Sequence, residues 1–257
     1  MVTKVQIVSK LREIERKEGV KILYAVESGS RGWGFESKDS DYDVRFIYVH
    51  PLDWYLSIEE GRDVIEHPVA ANLDISGWDL KKALVLFKKS NPPLYEWLTS
   101  PTDYIEKEDF TQRLRSLMPE FYSPVSSLHH YLHMAYGNYK AYLNKQKVRI
   151  KKYFYVLRPI FACMWIEAYH TMPPMEFQRL LDTLKLNEEL RIEIYKLLDR
   201  KRSGAELDQE NKILIVDKFL RNKIQYFENY AKNLKSKKHP DIKILDKLFT
   251  EVVKDQG

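Results

Sequence analysis

The feature that most constrains this chain is a glycine-serine turn followed by two aspartates with one residue between them. The apolar run 22–26 leads into the turn at residues 28–30 and predicts a buried strand. Asp41 and Asp43 open a second run, 44–49, whose β-branched and aromatic residues predict another strand. Because residues two apart on a strand point to the same face, we expect the two carboxylates to project side by side.

This arrangement favours metal and phosphate chemistry. Two neighbouring carboxylates repel each other unless a cation lies between them. Mg²⁺ is typically held by one or two carboxylates together with substrate phosphates. Glycine at position 29 would let backbone amides approach a phosphate, and a helix that begins there would direct its positive end toward the anion. The pattern predicts a phosphoryl- or nucleotidyl-transfer site. The alternative is an ordinary turn and a solvated strand end.

Gly29-Ser30 followed by Asp41-x-Asp43 on a strand resembles the signature of the DNA polymerase β-type nucleotidyltransferase superfamily. The longer segments 27–35 and 40–45 are similar to one branch of it, the predicted nucleotidyltransferases associated with RNA repair. Further segments that match in order are 77–82, 90–92, 96–97 and 151–159. The resemblance extends over roughly residues 20 to 170.

The resemblance implies a catalytic metal site. Asp41 and Asp43 would hold Mg²⁺, with Mn²⁺ as a substitute, and a third carboxylate from a neighbouring strand would complete the site. Asp74 is our candidate for that carboxylate, as a metal ligand and as the group that activates the attacking hydroxyl. Asp63 and Glu66 are its competitors.

The expected nucleotide-binding residues fall in two places. Gly29, Ser30 and Arg31 would hold the phosphates at the turn. A basic helix predicted at 148–169 would supply the other contacts, because the segment 138–158 carries seven cations and no Asp or Glu. Helical spacing places four residues on one face of that helix, and Lys152 lies beside this face. The members of this face are Lys147, Lys151, Tyr155 and Arg158. The resemblance implies that Lys151, Lys152, Tyr155 and Arg158 contact the nucleotide; a triphosphate and an RNA backbone both suit such a face.

We predict an α+β chain with two domains. A small mixed-sheet nucleotidyltransferase catalytic domain would cover residues 1–110, and an all-helical nucleotide- or acceptor-binding domain would cover 111–257. The catalytic domain would contain a helix at 2–19, strands at 21–26, 42–49, 62–66 and 70–76, and a helix at 77–89, with the hairpin turn at His67-Pro68. The second domain would contain helices at 110–117, 124–146, 148–169, 174–184, 188–201, 206–235 and 240–253, and a brief strand at 213–216.

Composition excludes several classes of protein. A hydrophobic share of 44% and a charged share of 31% indicate a globular chain rather than a disordered one. The single cysteine, Cys163, lies in an apolar run, so no disulfide framework is expected and the thiol is predicted to be a core residue. No secretory signal or membrane span is visible, which predicts a cytoplasmic protein. The net charge of +5 permits a polyanionic partner.

His129 and His133 have the helical spacing of zinc ligands, with His130 beside them. No third ligand is evident in the sequence, so we expect no structural zinc and interpret these histidines as packing or RNA-positioning residues.

We therefore predict a nucleotidyltransferase that moves a nucleoside monophosphate from a nucleoside triphosphate to a hydroxyl and releases pyrophosphate. ATP is the favoured substrate, although no residue pattern separates ATP from CTP. The favoured acceptor is an RNA 3′ end, as in RNA repair. The alternatives are a protein or small-molecule acceptor and a catalytically inactive nucleotide- or RNA-binding module. The sequence does not determine the oligomeric state.

Overall fold

The computed structural model describes residues 2–37, 40–70, 72–204, 209–235 and 240–255. The chain forms two compact units, and neither is one continuous stretch. The first unit consists of Met1–Gly32, Asp41–Tyr122 and Lys238–Gly257, and the second consists of Trp33–Ser40 and Ser123–Lys237.

The first unit contains a five-stranded mixed sheet. Its strands are β1 (Lys21–Glu27), β2 (Tyr42–Val49), β3 (Val64–Ala70), β4 (Leu73–Asp79) and β5 (Asp103–Glu106). Their order across the sheet is β3-β4-β2-β1-β5. The central pair β2 and β4 is parallel, while the neighbouring pairs are antiparallel. The sheet is therefore mixed, as predicted.

Helices cover the sheet of this unit. They are α1 (Lys4–Glu18), the single-turn α2 (Gly29–Gly32), α3 (Leu52–Tyr55), α4 (Leu80–Lys88), α5 (Pro92–Leu98), α6 (Glu108–Phe121) and α12 (Lys243–Lys254). The first helix follows the local rules closely. Thr3 caps it in a capping box, Gly19 ends it with a left-handed φ of 64°, and its apolar stripe is buried in the core that lines the sheet.

The β3–β4 hairpin differs from the prediction. The predicted turn, His67-Pro68, lies inside β3, which continues to Ala70, and Asn72 directly precedes β4. Strand β3 is at the edge of the sheet, and its register shifts between His67 and Ala70. A proline is tolerated at such a position because an edge strand has backbone groups without a ladder partner. Asn72 takes the left-handed φ of 62° that the real turn requires.

Two other boundaries were not foreseen. Strand β5 lies where the sequence predicted no element, because four residues next to a proline carry too little periodicity to be recognised. Residues 77–79 belong to β4 rather than to the following helix, since Asp79 caps α4 by accepting a hydrogen bond from the Lys81 amide at 2.8 Å.

The second unit is helical apart from one small sheet. Its helices are α7 (Pro124–Asn138), α8 (Ile150–Tyr169), α9 (Phe177–Thr183), α10 (Glu188–Arg202) and α11 (Leu214–Ala231), and a π-helical turn follows α7 at Tyr139–Leu143. Helix α8 is buried over most of its length and forms the centre of the core. Phe35 is part of this same core, 1% exposed and 5.1 Å from Phe154 between ring centroids.

The small sheet pairs β6 (Lys147–Arg149) with β7 (Gln209–Asn211). The α+β class is confirmed, but the prediction that this half of the chain is all-helical was wrong in this detail. The strand predicted at 213–216 is also wrong, because α11 begins at Leu214. The first part of the helix predicted at 206–235, residues 206–208, lies outside the described residues.

The division into units also departs from a single cut near residue 110. That position lies inside α6, and the chain passes from the first unit to the second between Tyr122 and Ser123. Helix α12 belongs to the first unit, and Trp33–Ser40 belongs to the second. Whether one unit is catalytic and the other binds nucleotide or acceptor stays a prediction.

Two further observations concern the chain as a whole. Cys163 is buried, as predicted. Among the residues that the structure describes, no helix has both the length and the apolar character that a membrane span needs.

Candidate active site

The parallel pairing of β2 with β4 brings two carboxylates together. In this register Asp43 lies directly beside Asp74. The guanidinium of Arg45 lies with both, because its Nη2 donates to Asp74 Oδ2 at 2.7 Å and to Asp43 Oδ1 at 3.3 Å. Its Nη1 donates to the Val44 and Asp74 carbonyls at 3.1 and 3.2 Å. One cation therefore holds the two acids on the same face of the sheet.

The other two candidate acids are engaged elsewhere. Asp63 accepts from Lys82 Nζ at 3.0 Å, and Glu66 accepts from Arg62 Nη2 at 2.7 Å. Both side chains are more than half exposed. Asp74 is thus the carboxylate that the sheet places next to Asp43.

Asp41 lies just before β2 rather than on it, so the predicted strand alternation does not apply to it. Asp43 instead lies on the same face of the sheet as Arg45, which is two residues further along β2. Asp41 is exposed, and its carbonyl accepts a hydrogen bond from Arg31 Nε at 3.3 Å. Its charge still reaches Asp43: burial is the main cause that raises the pKa of the Asp43 carboxyl, and the charges of Asp74 and Asp41 raise it further.

The glycine-serine turn lies directly against Asp43. The Ser28 amide donates to the Asp43 carbonyl at 2.8 Å, and Gly29 adopts a left-handed φ of 56°. A Cβ atom at position 29 would stand 1.8 Å from Asp43 Oδ2, so any side chain there would collide with the carboxylate. Glycine is required here both for the backbone conformation and for this close approach.

Arg31 is held in a defined position beside the turn. Besides its bond to the Asp41 carbonyl, its guanidinium carbon stacks 3.9 Å from the centroid of the Tyr42 ring. A planar guanidinium fixed in this way suits a two-point contact with a phosphate.

Glu27 is a further member of the site that the sequence did not single out. It is 2% exposed, and its Oε1 accepts from the Asp43 amide at 2.8 Å while its Oε2 accepts from the Tyr104 hydroxyl. Burial is the main cause that raises the pKa of Glu27, and the Tyr104 hydrogen bond opposes it. The available signal was a carboxylate at the end of an otherwise apolar strand.

Burial also raises the pKa of Asp43, while the Arg45 guanidinium lowers it and the Asp74 and Asp41 charges raise it again. The site therefore concentrates negative charge in a place with limited hydration. Such a cluster binds cations readily, because a cation relieves both the repulsion and the desolvation.

The donor set fits a divalent cation. The oxygens of Asp43 and Asp74 already converge on one positive group, and carboxylate oxygens are the ligands that Mg²⁺ prefers. In the part of the chain that the structure describes, no three His, Cys, Asp or Glu side chains form a complete metal-binding group. Asp43 and Asp74, with Asp41 nearby, would supply only part of the coordination, and substrate phosphates would supply the rest.

The basic face predicted around residue 150 does not form as one surface. Lys147 lies on β6, outside helix α8, and Arg158 is 3% exposed. The Arg158 guanidinium carbon lies 4.6 Å from the Trp33 ring centroid, and its Nη2 donates to the Met175 carbonyl at 3.4 Å. Helical spacing alone could not show this, because most of α8 is buried on every side.

The other cations of this group remain accessible. Lys151 is partly exposed, and Lys152 rests on the rings of Tyr142 and Tyr155. The nucleotide-binding role of Lys151, Lys152, Tyr155 and Arg158 stays a prediction.

The helical histidines line a different cavity. His129, His130 and His133 border an open cavity of about 810 Å³ together with Glu228. Among the described residues, these histidines and Glu228 form no metal-binding group.

Comparison with known proteins agrees with the resemblance read from the motifs. The model of the family described as RlaP, RNA repair pathway DNA polymerase beta family, matches residues 3–251. The chain is 52% identical over 252 residues to the uncharacterized protein YcgL of Bacillus subtilis (strain 168), covering 98% of this chain and 97% of that protein. A solved structure, a nucleotidyltransferase-like protein from Exiguobacterium sibiricum 255-15, is 14% identical with a TM-score of 0.30, covering 97% of this chain and 80% of that one.

Proposed function

Because the chain belongs to RlaP, the RNA repair pathway DNA polymerase beta family, we propose that it is a Mg²⁺-dependent nucleotidyltransferase. In this proposal it transfers a nucleoside monophosphate from a nucleoside triphosphate to a hydroxyl and releases pyrophosphate. ATP is the expected donor, and the 3′ hydroxyl of an RNA is the expected acceptor. The family supports a nucleotidyltransferase-like protein associated with RNA repair; the donor, acceptor and metal are part of the proposal.

The observation that carries the proposal is the position of Asp43. Its carboxylate shares the Arg45 guanidinium with Asp74, and it also lies directly against the Gly29 turn. A polyphosphate on that turn would lie within reach of the carboxylates. This is the juxtaposition of anion-binding backbone and metal-binding acids that nucleotidyl transfer requires.

The reaction is an in-line displacement at the α-phosphorus. The acceptor oxygen forms a bond to that phosphorus while the bond to the oxygen bridging the α- and β-phosphates breaks, and pyrophosphate leaves. The proton of the acceptor hydroxyl passes to the Asp74 carboxylate and from there to solvent. Asp43 and Asp74, with Asp41 nearby, would hold Mg²⁺, which when bound would neutralise charge on the phosphates and the reacting oxygens.

The protein's own groups position the donor. The backbone of Gly29 and Ser30 would hold the β- and γ-phosphates, and Arg31 would neutralise them. Glu27 fixes the Asp43 backbone, and Arg45 keeps the Asp43 and Asp74 carboxylates on one face. Preorganisation of this kind lowers the reorganisation needed in the transition state.

The direct test is pyrophosphate release from each of the four ribonucleoside triphosphates with Mg²⁺, with and without bulk RNA. We expect release to depend on Mg²⁺ and RNA, and to fall at least about 1,000-fold in Asp43→Asn, since this change removes a metal ligand without changing the size of the side chain. Labelled nucleotide should appear on RNA when RNA, protein and small-molecule hydroxyls are offered side by side.

Asp53→Asn is a matched control in the same unit, since this acid lies in the short helix α3, which follows the end of β2 opposite to Asp43. Its release rate should equal that of the unsubstituted protein. Equal rates in Asp43→Asn and Asp53→Asn would contradict the catalytic assignment, and labelling of protein alone would exclude the RNA acceptor.

A further inference from the structure

The second unit carries a cluster of cations around a small cavity. The π-helical turn, β6 and the first turn of α8 surround a cavity of about 250 Å³. Its lining residues are Tyr142, Lys145, Lys147, Arg149, Lys152 and Gln209. Within the described residues, no acidic side chain lines this cavity, and its four cations form no ion pair.

The backbone explains why the cations collect there. Lys147 and Arg149 are two apart on β6, so they point to the same side, while Val148 between them is 1% exposed and anchors the strand in the core. Antiparallel pairing places Gln209 of β7 beside Arg149. The arrangement is therefore set by a sheet rather than by chance neighbours on a loop.

Aromatic rings are interleaved with these cations. Lys152 Nζ lies 3.7 Å from the centroid of the Tyr142 ring and 4.2 Å from that of the Tyr155 ring. The two rings are 6.2 Å apart at an angle of 76°, and each tyrosine is 36% exposed. Lys140 repeats the pairing over Tyr136, at 4.6 Å. Cations beside exposed rings can contact phosphates and stack on unpaired bases.

We propose that this surface binds the sugar-phosphate backbone and bases of single-stranded RNA. Enclosed small-molecule sites usually have volumes of about 300–1,000 Å³, so this smaller, open cavity suits a segment of a polymer better than a whole nucleotide. Exposed lysines and an arginine, with no acid among the described residues that line the cavity, favour a polyanion. The choice of RNA as the ligand rests on the proposed function, whereas the inference that this surface binds an anion rests on its cations alone.

The test is fluorescence anisotropy of the full chain with a labelled unstructured single-stranded RNA over a range of salt concentrations. The triple variant Lys145→Gln, Lys147→Gln, Arg149→Gln should weaken binding at least about 30-fold, and the slope of log affinity against log salt should fall by about 2, since each lost single-strand phosphate contact contributes about 0.7.

The matched control is Lys185→Gln, Lys218→Gln, Lys235→Gln, which removes the same charge from exposed lysines of the same unit. Its RNA affinity should change less than about 3-fold, as expected for net charge alone. An equal loss in both triples, or no loss in the first, would overturn the site. Equal thermal unfolding of the two triples checks that the fold is intact.

A second arm tests stacking. Tyr142→Leu should weaken the binding of single-stranded RNA by about 5-fold or more. It should leave the affinity for duplex RNA unchanged, because a duplex offers no unpaired base. Binding of single-stranded DNA as tightly as RNA would overturn the choice of RNA. Pyrophosphate release by the unsubstituted protein in the presence of RNA separates the two proposals. If release occurs as expected while RNA binding is insensitive to the first triple, only this inference fails. If RNA binds as expected without any nucleotide transfer, only the proposed function fails.

Discussion

The carboxylate site of the first unit and the cationic surface of the second unit hold charge in opposite ways. Asp43 and Asp74 are partly buried at the centre of a sheet, next to a glycine that allows no side chain. Lys147 and Arg149 are exposed on a short strand of the helical unit, and Lys145 is exposed just before that strand. The carboxylate site depends on the exact position of each neighbouring group, whereas the exposed cations can change position.

The difference matches the roles that we propose for the two regions. Charges that stabilise a transition state must already be in place, because their reorganisation would raise the barrier. Charges that bind a flexible polyanion act through number and proximity, and solvent screening makes each one individually weak. Substitutions in the first region should therefore have large, local effects, and those in the second should have smaller effects that add.

The largest difference is expected between Asp74 and its competitors. Asp74→Asn should reduce pyrophosphate release at least about 100-fold, because it removes a candidate metal ligand and base at once. Asp63→Asn and Glu66→Gln should each change the rate less than about 2-fold, since both acids are paired on the surface. Steady-state release rates under saturating Mg²⁺ measure this. A larger loss in either competitor than in Asp74→Asn would move the third carboxylate to that residue.

Gly29→Ala tests how exact the carboxylate site must be. The new Cβ would meet Asp43, and the left-handed backbone would be strained, so we expect at least about 30-fold lower activity and about 2–3 kcal/mol lower unfolding free energy. Chemical denaturation and pyrophosphate release measure the two effects.

Gly19→Ala is its control, because Gly19 has a similar φ of 64° but no atom within 4 Å of the added Cβ. That variant should lose only about 1–2 kcal/mol of stability and keep its activity. If the two variants behaved alike, the contact between residue 29 and Asp43 would have no catalytic importance.

Arg158 separates buried from exposed cations within the second unit. Arg158→Ala should lower the free energy of unfolding by about 2–3 kcal/mol, because it removes the contact with the Trp33 ring and the hydrogen bond to the Met175 carbonyl. Lys151→Ala should change it by less than about 0.5 kcal/mol. Urea unfolding measures both, and equal values would show that the burial of Arg158 contributes nothing to stability.

The smallest effect concerns pH. Burial raises the pKa of Glu27, so this carboxyl is protonated more readily in the folded protein than in the unfolded chain. The associated stability is fully present below the unfolded pKa and is lost as pH rises through the higher folded pKa. Glu27→Gln should remove this loss and flatten the fall in unfolding free energy as pH rises from about 4.5. Denaturation at a series of pH values measures the slope, and an unchanged slope would contradict the assignment to Glu27.

Much of the first unit could be predicted because its signals are local. The runs that form β1 and β2, the capping box of α1 and the placement of Asp74 on a strand all lie within short windows of sequence. Short elements with weak periodicity were missed, as β5 and β6 illustrate. The hairpin turn was misplaced because a proline usually ends a strand, and only the edge position of β3 makes it acceptable.

What depends on distant neighbours could not be predicted. Nothing local indicates that Arg45 lies with two acids, that Glu27 fixes the Asp43 backbone, or that Arg158 is buried against Trp33. Likewise, Phe35 carries no sequence signal that assigns it to the core of the second unit, and α12 carries none that assigns it to the first.

The sequence by itself indicated the chemistry: a glycine turn that would let backbone amides approach a phosphate, acids spaced near and on strands, and membership of an RNA repair family. These properties belong to residue types and to spacing along the chain. Tertiary structure alone decided which acid stands beside Asp43, which arginine neutralises the pair and which cations reach solvent. The physical reason is that strand register and burial are set by contacts between segments far apart in sequence.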